Sequence, residues 1–305
     1  LFPQMKEAIM EIIKTDQYRL PLLVVTGFMF IGIAIKSALF PFHSMLPGAY
    51  LAAIPTSSGI LSGLVLKSYI ILGIKLIYCV FSAEVMHTLK ITEVLFVFGL
   101  AGMVMGSVYA IRERKMKRML AYSSVAQIGY IYMGIGMGSR VGMTAACFHI
   151  LAHAITKTLL FLCCGSFVEN SGGKEKIYHM RGAALRNPLA GIGYTVGALS
   201  MIGVPLLAGF ISKIYFATAS VYSSGKMAAV LIVLGVSMVL NALYFLPSVI
   251  AIWTPEKGKE NKPNFSVSPL FAVSIVGFVI LNFVLGIFYR PITRIIQMSI
   301  ELLAQ

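Results

Sequence analysis

Three titratable side chains stand in line in this sequence: His149, His153 and Lys157, spaced i, i+4, i+8. On an α-helix that spacing stacks them on one face, rising about 6 Å per step. Two imidazoles and an amine so arranged can pass a proton along, directly or through water. Histidine suits such work because it exchanges protons near neutral pH. A lysine joins in only where burial or a neighbouring cation weakens its hold on the proton. The competing reading is two satisfied core histidines and a lysine reaching for the interface. A metal site is the weaker reading, since a third ligand is missing from the pattern. Three further lysines, Lys36, Lys67 and Lys213, fall inside or near the ends of long apolar runs. An ionised side chain at the centre of a membrane helix costs roughly 2.5–3.5 kcal/mol, so four would cost on the order of 10 kcal/mol. That predicts a hydrated interior, not lipid, around Lys36, Lys67, Lys157 and Lys213. Lys75 is near enough to the end of its run to snorkel.

The chain that positions these groups has 305 residues, 58% of them hydrophobic and 12% charged, and a mean hydropathy of +0.87. Soluble domains carry about a quarter of charged residues. Too few charges remain here for a solvated shell, which excludes a soluble enzyme, a nucleic-acid binder and a disordered protein. The composition predicts an all-α polytopic membrane protein. Eight apolar runs have spanning length: about Leu20–Phe40, Ser57–Phe81, Ile91–Ile111, Met119–Met137, Gly142–Val168, Leu189–Tyr222, Met227–Trp253 and Pro269–Tyr289. The turns between them are short, leaving almost nothing for a soluble domain. The first 19 residues form an amphipathic pattern (Met5, Ile9, Ile12, Ile13) that also holds Glu7, Glu11 and Asp16, unlike the uncharged core of a signal peptide. Cys79, Cys147, Cys163 and Cys164 lie in apolar runs without a Cys-x-x-Cys pair and read as small apolar fillers. No cofactor or metal is expected, since no haem, metal or phosphate-binding motif is visible.

Two spans look interrupted. The first runs through Lys36 into Pro41, His43 and Pro47; the sixth, too long for one crossing, contains Gly203-Val204-Pro205 and Gly209 before Lys213. Broken helices expose backbone groups that protein or water must satisfy, as at transport sites. The small-residue pairs Gly59/Gly63, Gly102/Gly106 and Gly193/Gly197 point to close helix packing. Basic residues set the orientation. One side holds Lys6, Lys14, Arg19, Lys90, Arg140, Lys226, Arg290 and Arg294. The other holds Arg112, Arg114, Lys115, Lys117, Arg118, Lys174, Lys176, Arg181, Arg186, Lys257, Lys259 and Lys262. The second side is the more basic and is predicted to be cytoplasmic, with both termini outside and Trp253 as an interfacial anchor.

These residues carry a family resemblance. Lys36-Ser-Ala-Leu-Phe-Pro41-Phe-His43-Ser-Met45-Leu-Pro47 resembles the K-x-x-x-x-P-x-H-x-W-L-P signature of antiporter-like subunits, found in respiratory complex I, Mrp-type cation/proton antiporters and membrane-bound hydrogenases. Lys117-Arg118-Met-Leu-Ala-Tyr122-Ser-Ser-Val-Ala-Gln127-Ile-Gly129-Tyr130 is similar to that family's K-R-x-L-A-Y-S-S-x-x-Q-x-G-Y. Leu64-Val-Leu-Lys67, His149-Ile-Leu-Ala-His153-Ala-Ile-Thr-Lys157 and Gly203-Val-Pro-Leu-Leu-Ala-Gly209-Phe-Ile-Ser-Lys213 follow the family's order.

The resemblance implies a fourteen-helix fold with two inverted five-helix repeats, each with one broken helix, and proton movement along a hydrated axis at mid-membrane. Lys36 and Lys213 would be the broken-helix lysines, Lys67 the lysine after the first break, His149, His153 and Lys157 the central relay, and His43 the cytoplasmic mouth. Residues 20–81 would end the first repeat, 91–253 form the second, and 269–305 the final helix and tail. The family's Trp is Met45 here, its Asp is Gly48, and its first six helices, with the glutamate that pairs with a buried lysine, have no counterpart; Glu84 and Glu93 lie at span ends. A fragment, or half of a split subunit, is therefore expected, placed in the plasma or inner membrane among other hydrophobic subunits. It would move protons, with sodium exchange left open, and carry no redox chemistry of its own even within an oxidoreductase. The alternative is a non-conducting scaffold of such a complex.

Overall fold

A computed structural model describes residues 2–14, 18–223, 225–255 and 268–304, nearly all of them helical. Asp16 and the loop lysines Lys257, Lys259 and Lys262 lie outside the described residues. The amphipathic start is helix α1 (Phe2–Ile12), which rests Ile9 and Met10 on the core near Leu76–Phe81. α2 (Arg19–Ser37) ends where Ala38 turns to φ 58° and Pro41 offers no N–H to continue a helix. α3 (Met45–Ala52) follows the break. The second span starts with α4 (Pro55–Ile60), passes a π-turn at Leu61–Val65, continues as α5 (Leu66–Lys75) and closes in a second π-turn, Leu76–Phe81. After the short α6 (Ala83–Thr88) come the three long central helices, α7 (Ile91–Arg112), α8 (Met116–Gly136) and α9 (Arg140–Asn170). Then follow α10 (Ala183–Arg186), α11 (Pro188–Ile202), α12 (Ala208–Val221), α13 (Met227–Trp253), α14 (Pro269–Ile287) and the amphipathic α15 (Tyr289–Ala304).

Among the described residues, six helices are long and apolar enough to cross a membrane: Arg19–Ser37, Pro55–Phe81, Ile91–Arg112, Arg140–Asn170, Met227–Trp253 and Pro269–Ile287. The other two expected spans differ for physical reasons. α8 has the length, but Lys117 and Arg118 occupy its first turn and Ser123, Ser124 and Gln127 its middle. The long sixth run is two helices, α11 and α12. Gly203 sits at φ 104°, a left-handed conformation only glycine adopts without strain, and Pro205 cannot donate.

α8 is the hub. All its residues except Arg118 and Tyr122 are buried. It meets α7 backbone to backbone: a Cβ on Gly129 would stand 2.6 Å from both Gly99 O and Met103 N. The small-residue pairs do pack helices, Gly102 and Gly106 against α8, the other two pairs against α9.

The basic cluster Arg112–Arg118 is more than an orienting charge. Segments 114–116 and 175–177 exchange backbone bonds, Met116 N to Glu175 O (3.0 Å) and Ile177 N to Arg114 O (2.9 Å). Lys117 is buried and donates to Leu51 O (3.1 Å) and Ala53 O (2.6 Å), closing the end of α3. Trp253 holds helices together as well, donating its indole N–H to Thr195 Oγ1 at 3.0 Å.

Candidate functional site

The site is built from side chains of α5, α8, α9, α12 and α13 and from the break between α11 and α12. Lys157, fully buried on α9, donates to Leu120 O at 2.9 Å and to the hydroxyl of Ser123, and its Nζ stands 5.9 Å from the centre of the Phe245 ring. Lys67 follows the first π-turn, whose i+5 spacing leaves the Ser62 carbonyl facing it; Lys67 donates to that carbonyl. Ser62 Oγ and Ser124 Oγ share a hydrogen bond of 3.0 Å, and Ser124 also reaches Leu120 O at 3.0 Å. Lys67 and Lys157 therefore meet through the carbonyl and hydroxyl of Ser62, the hydroxyl of Ser124 and the Leu120 carbonyl.

The histidines stack as their spacing predicts. The rings of His149 and His153 lie 6.0 Å apart with planes 3° from parallel, and both are fully buried. His149 Nδ1 is 2.9 Å from Ser212 Oγ, which donates to Gly209 O at 2.9 Å. Lys213 Nζ reaches the same Gly209 carbonyl at 3.4 Å and Met201 O at 3.0 Å. Met201 O is free to accept because the residue four positions on is Pro205, and Asn241 Nδ2 approaches it too, at 3.4 Å. The helix break thus supplies the carbonyl that holds Lys213. The Tyr130 ring fills the space between, 5.4 Å from the His149 ring and 5.4 Å from Lys213 Nζ.

One buried interior therefore holds Lys67, Lys157, His153, His149 and Lys213. Among the described residues no aspartate or glutamate is buried. The amines lean on carbonyls, hydroxyls and the faces of Phe245 and Tyr130, so an ammonium here has dipoles and ring faces to replace its hydration. Glu84 is exposed, and Glu93 is engaged elsewhere by Lys226 at 2.8 Å.

Two expected residues stand apart. Lys36 is exposed, not buried, because α2 packs through its other face and the neighbouring Ser37 points inward, 2.7 Å from Tyr132 Oη. His43 is half-buried in an aromatic cluster, its ring 5.3 Å from Phe40, 5.6 Å from Tyr109 and 6.4 Å from Tyr122. The spacing argument missed Ser62, Ser123, Ser124, Ser212 and Asn241. The signal for Ser123 was its place on the helical face that also carries Tyr130, seven residues on; Ser124 lies about 120° round the helix from Tyr130.

The family described as NADH:quinone oxidoreductase/Mrp antiporter, TM, matches residues 3–240. This chain belongs to that family. The family's NADH-quinone oxidoreductase subunit N of Desulforudis audaxviator is 36% identical over 220 residues, covering 72% of this chain and 43% of that protein. A chain of the archaeal membrane-bound sulfane sulfur reductase superposes with a TM-score of 0.84 at 25% identity, covering 99% of this chain and 60% of that one. A chain of the Mrp complex from Dietzia sp. gives a TM-score of 0.82 at 23% identity, covering 92% and 59%, and shows the same fold. This chain spans about half the length of the curated relatives it matches. Family membership bears out the resemblance carried by the motifs from Lys36 to Lys213.

Proposed function

We propose that this chain moves protons across a membrane as a subunit of a larger complex. The observation that carries the reading is the interior line from Lys67 through Lys157, His153 and His149 to Lys213, without a buried acid among the described residues. Each amine there can be charged or neutral, and a charge on one weakens its neighbour's hold on a proton. Successive lysines then load and unload in turn, with the imidazoles carrying protons between them. His43 serves the cytoplasmic mouth. Lys36, exposed on α2, joins the path where another helix covers that face. The more basic side is cytoplasmic, both termini are outside, and α8 with the α11–α12 pair completes eight spans. Residues 20–81 end the first five-helix repeat, and 91–253 form the second, inverted one. Protons are among the ions moved, sodium exchange staying open, and the neighbours are other hydrophobic subunits.

The test is Lys157→Ala in the native complex, with proton uptake into inverted membrane vesicles followed by a pH-sensitive dye. Loss of at least nine-tenths of the flux at normal complex levels is expected. Unchanged flux overturns the reading, and unchanged flux with lowered complex yield points to a scaffold.

A further inference from the structure

We propose that Gln127 is the partner of the His153 imidazole, joined to it directly or through one bound water, and so a positioning residue of the interior line. The inference rests on the reading that His153 relays protons. α8 and α9 run antiparallel, and three observed rungs fix their register. A Cβ on Gly134 would stand 3.0 Å from that of Ala146, the Tyr130 ring lies 5.4 Å from His149, and Ser123 meets Lys157. Each step of three or four residues along one helix is matched by three or four along the other, which sets Gln127 level with His153.

Both residues are fully buried. Gln127 Nε2 and Oε1 and His153 Nδ1 and Nε2 all lack a hydrogen-bond partner, so four unsatisfied polar atoms share one rung. On the neighbouring rungs Lys157 is held by Leu120 O and Ser123, and His149 through Nδ1 by Ser212, with its Nε2 unpaired; only at Gln127 and His153 does every side-chain polar atom of both residues lack a partner. Buried polar groups are rarely left unpaired, because desolvation without a bond is unfavourable. A carboxamide also has the chemistry the place requires. Its oxygen accepts from an imidazole N–H, its NH2 donates to a bare ring nitrogen, and by turning over it serves either tautomer. An apolar side chain of the same size could do neither.

Three variants of the native complex, assayed for proton flux in inverted vesicles at matched complex levels, separate the outcomes. Gln127→Met should lower flux at least tenfold, and Gln127→Asn, which keeps the amide, should retain at least a third of it. Gln127→Met within twofold of the unsubstituted complex, with His153→Leu inactive, overturns the role of Gln127 and leaves the relay standing. Unchanged flux in His153→Leu removes the relay itself. Electron cryomicroscopy of the unsubstituted complex supplies a test free of assembly effects. Density joining the Gln127 amide to His153, directly or through one water, is expected, and an apolar side chain packed between them overturns the inference.

Discussion

At the scale of single residues, burial sets what each side chain can do. His43 shows it outside the spans. Burial among Phe40, Tyr109 and Tyr122 lowers its pKa below the ordinary 6.5, with the Pro41 backbone offsetting part of the effect. An unfolded chain therefore takes up this proton at higher pH than the folded one, and the folded state loses ground as pH falls below about 6.5. The thermal unfolding midpoint of the purified complex should drop between pH 7 and pH 5.5, and by less in His43→Phe, which keeps a ring but cannot titrate. Equal drops in the two proteins would remove His43 from the account. The sequence made the charged members of the site legible, because i, i+4, i+8 spacing places His149, His153 and Lys157 on one face whatever surrounds the helix. It did not disclose Ser62, Ser124 or Asn241, since uncharged polar residues occur as readily in the loops as in the interior. Nor could it tell that Lys36 faces outward, because periodicity defines the faces of α2 but not which of them is covered.

At the scale of elements, glycines and prolines were the readable marks. Gly203 and Pro205 divided the sixth run as expected, and Pro41 marked the end of α2. The π-turns of the second span left no such mark, although the one at Leu61–Val65 brings the Ser62 carbonyl to Lys67. The α7–α8 contact is highly exposed to substitution. A Cβ on Gly129 would meet the backbone of Gly99, Gly102 and Met103, atoms that cannot swing aside as a side chain tip would. Gly129→Val should therefore cost at least the roughly 1–3 kcal/mol of an overpacked core. Gly235→Ala, at an exposed position on α13 with nothing within 4 Å, should be neutral or slightly stabilising. Unfolding midpoints and complex levels in membranes check the pair. A Gly129→Val complex as stable as the Gly235→Ala one would mean that α7 and α8 lie farther apart than described.

For the whole molecule, the question is what covers α2. Its outward face carries Val24 (47% exposed), Val25 (55%), Phe28 (71%) and Ile35 (45%), a surface that lipid alone could satisfy. Lys36 changes that, since its amine is exposed on the same helix, in the last turn of α2. An amine against lipid costs up to roughly 2.5–3.5 kcal/mol, the figure for a helix centre, and protein or a hydrated seam removes the cost. α13 also exposes apolar side chains, Ile232 (66%) and Val239 (62%), but no lysine within its length, and lipid satisfies it fully. The two faces should therefore differ in the native membrane. A photo-crosslinking residue at Phe28 is expected to capture protein, and the same residue at Val239 to give no protein adduct. Capture at neither position would leave Lys36 against lipid and remove it from any proton path. Capture at Phe28, followed by loss of flux in Lys36→Ala at normal complex levels, would place that lysine on a path continued by the helix covering α2.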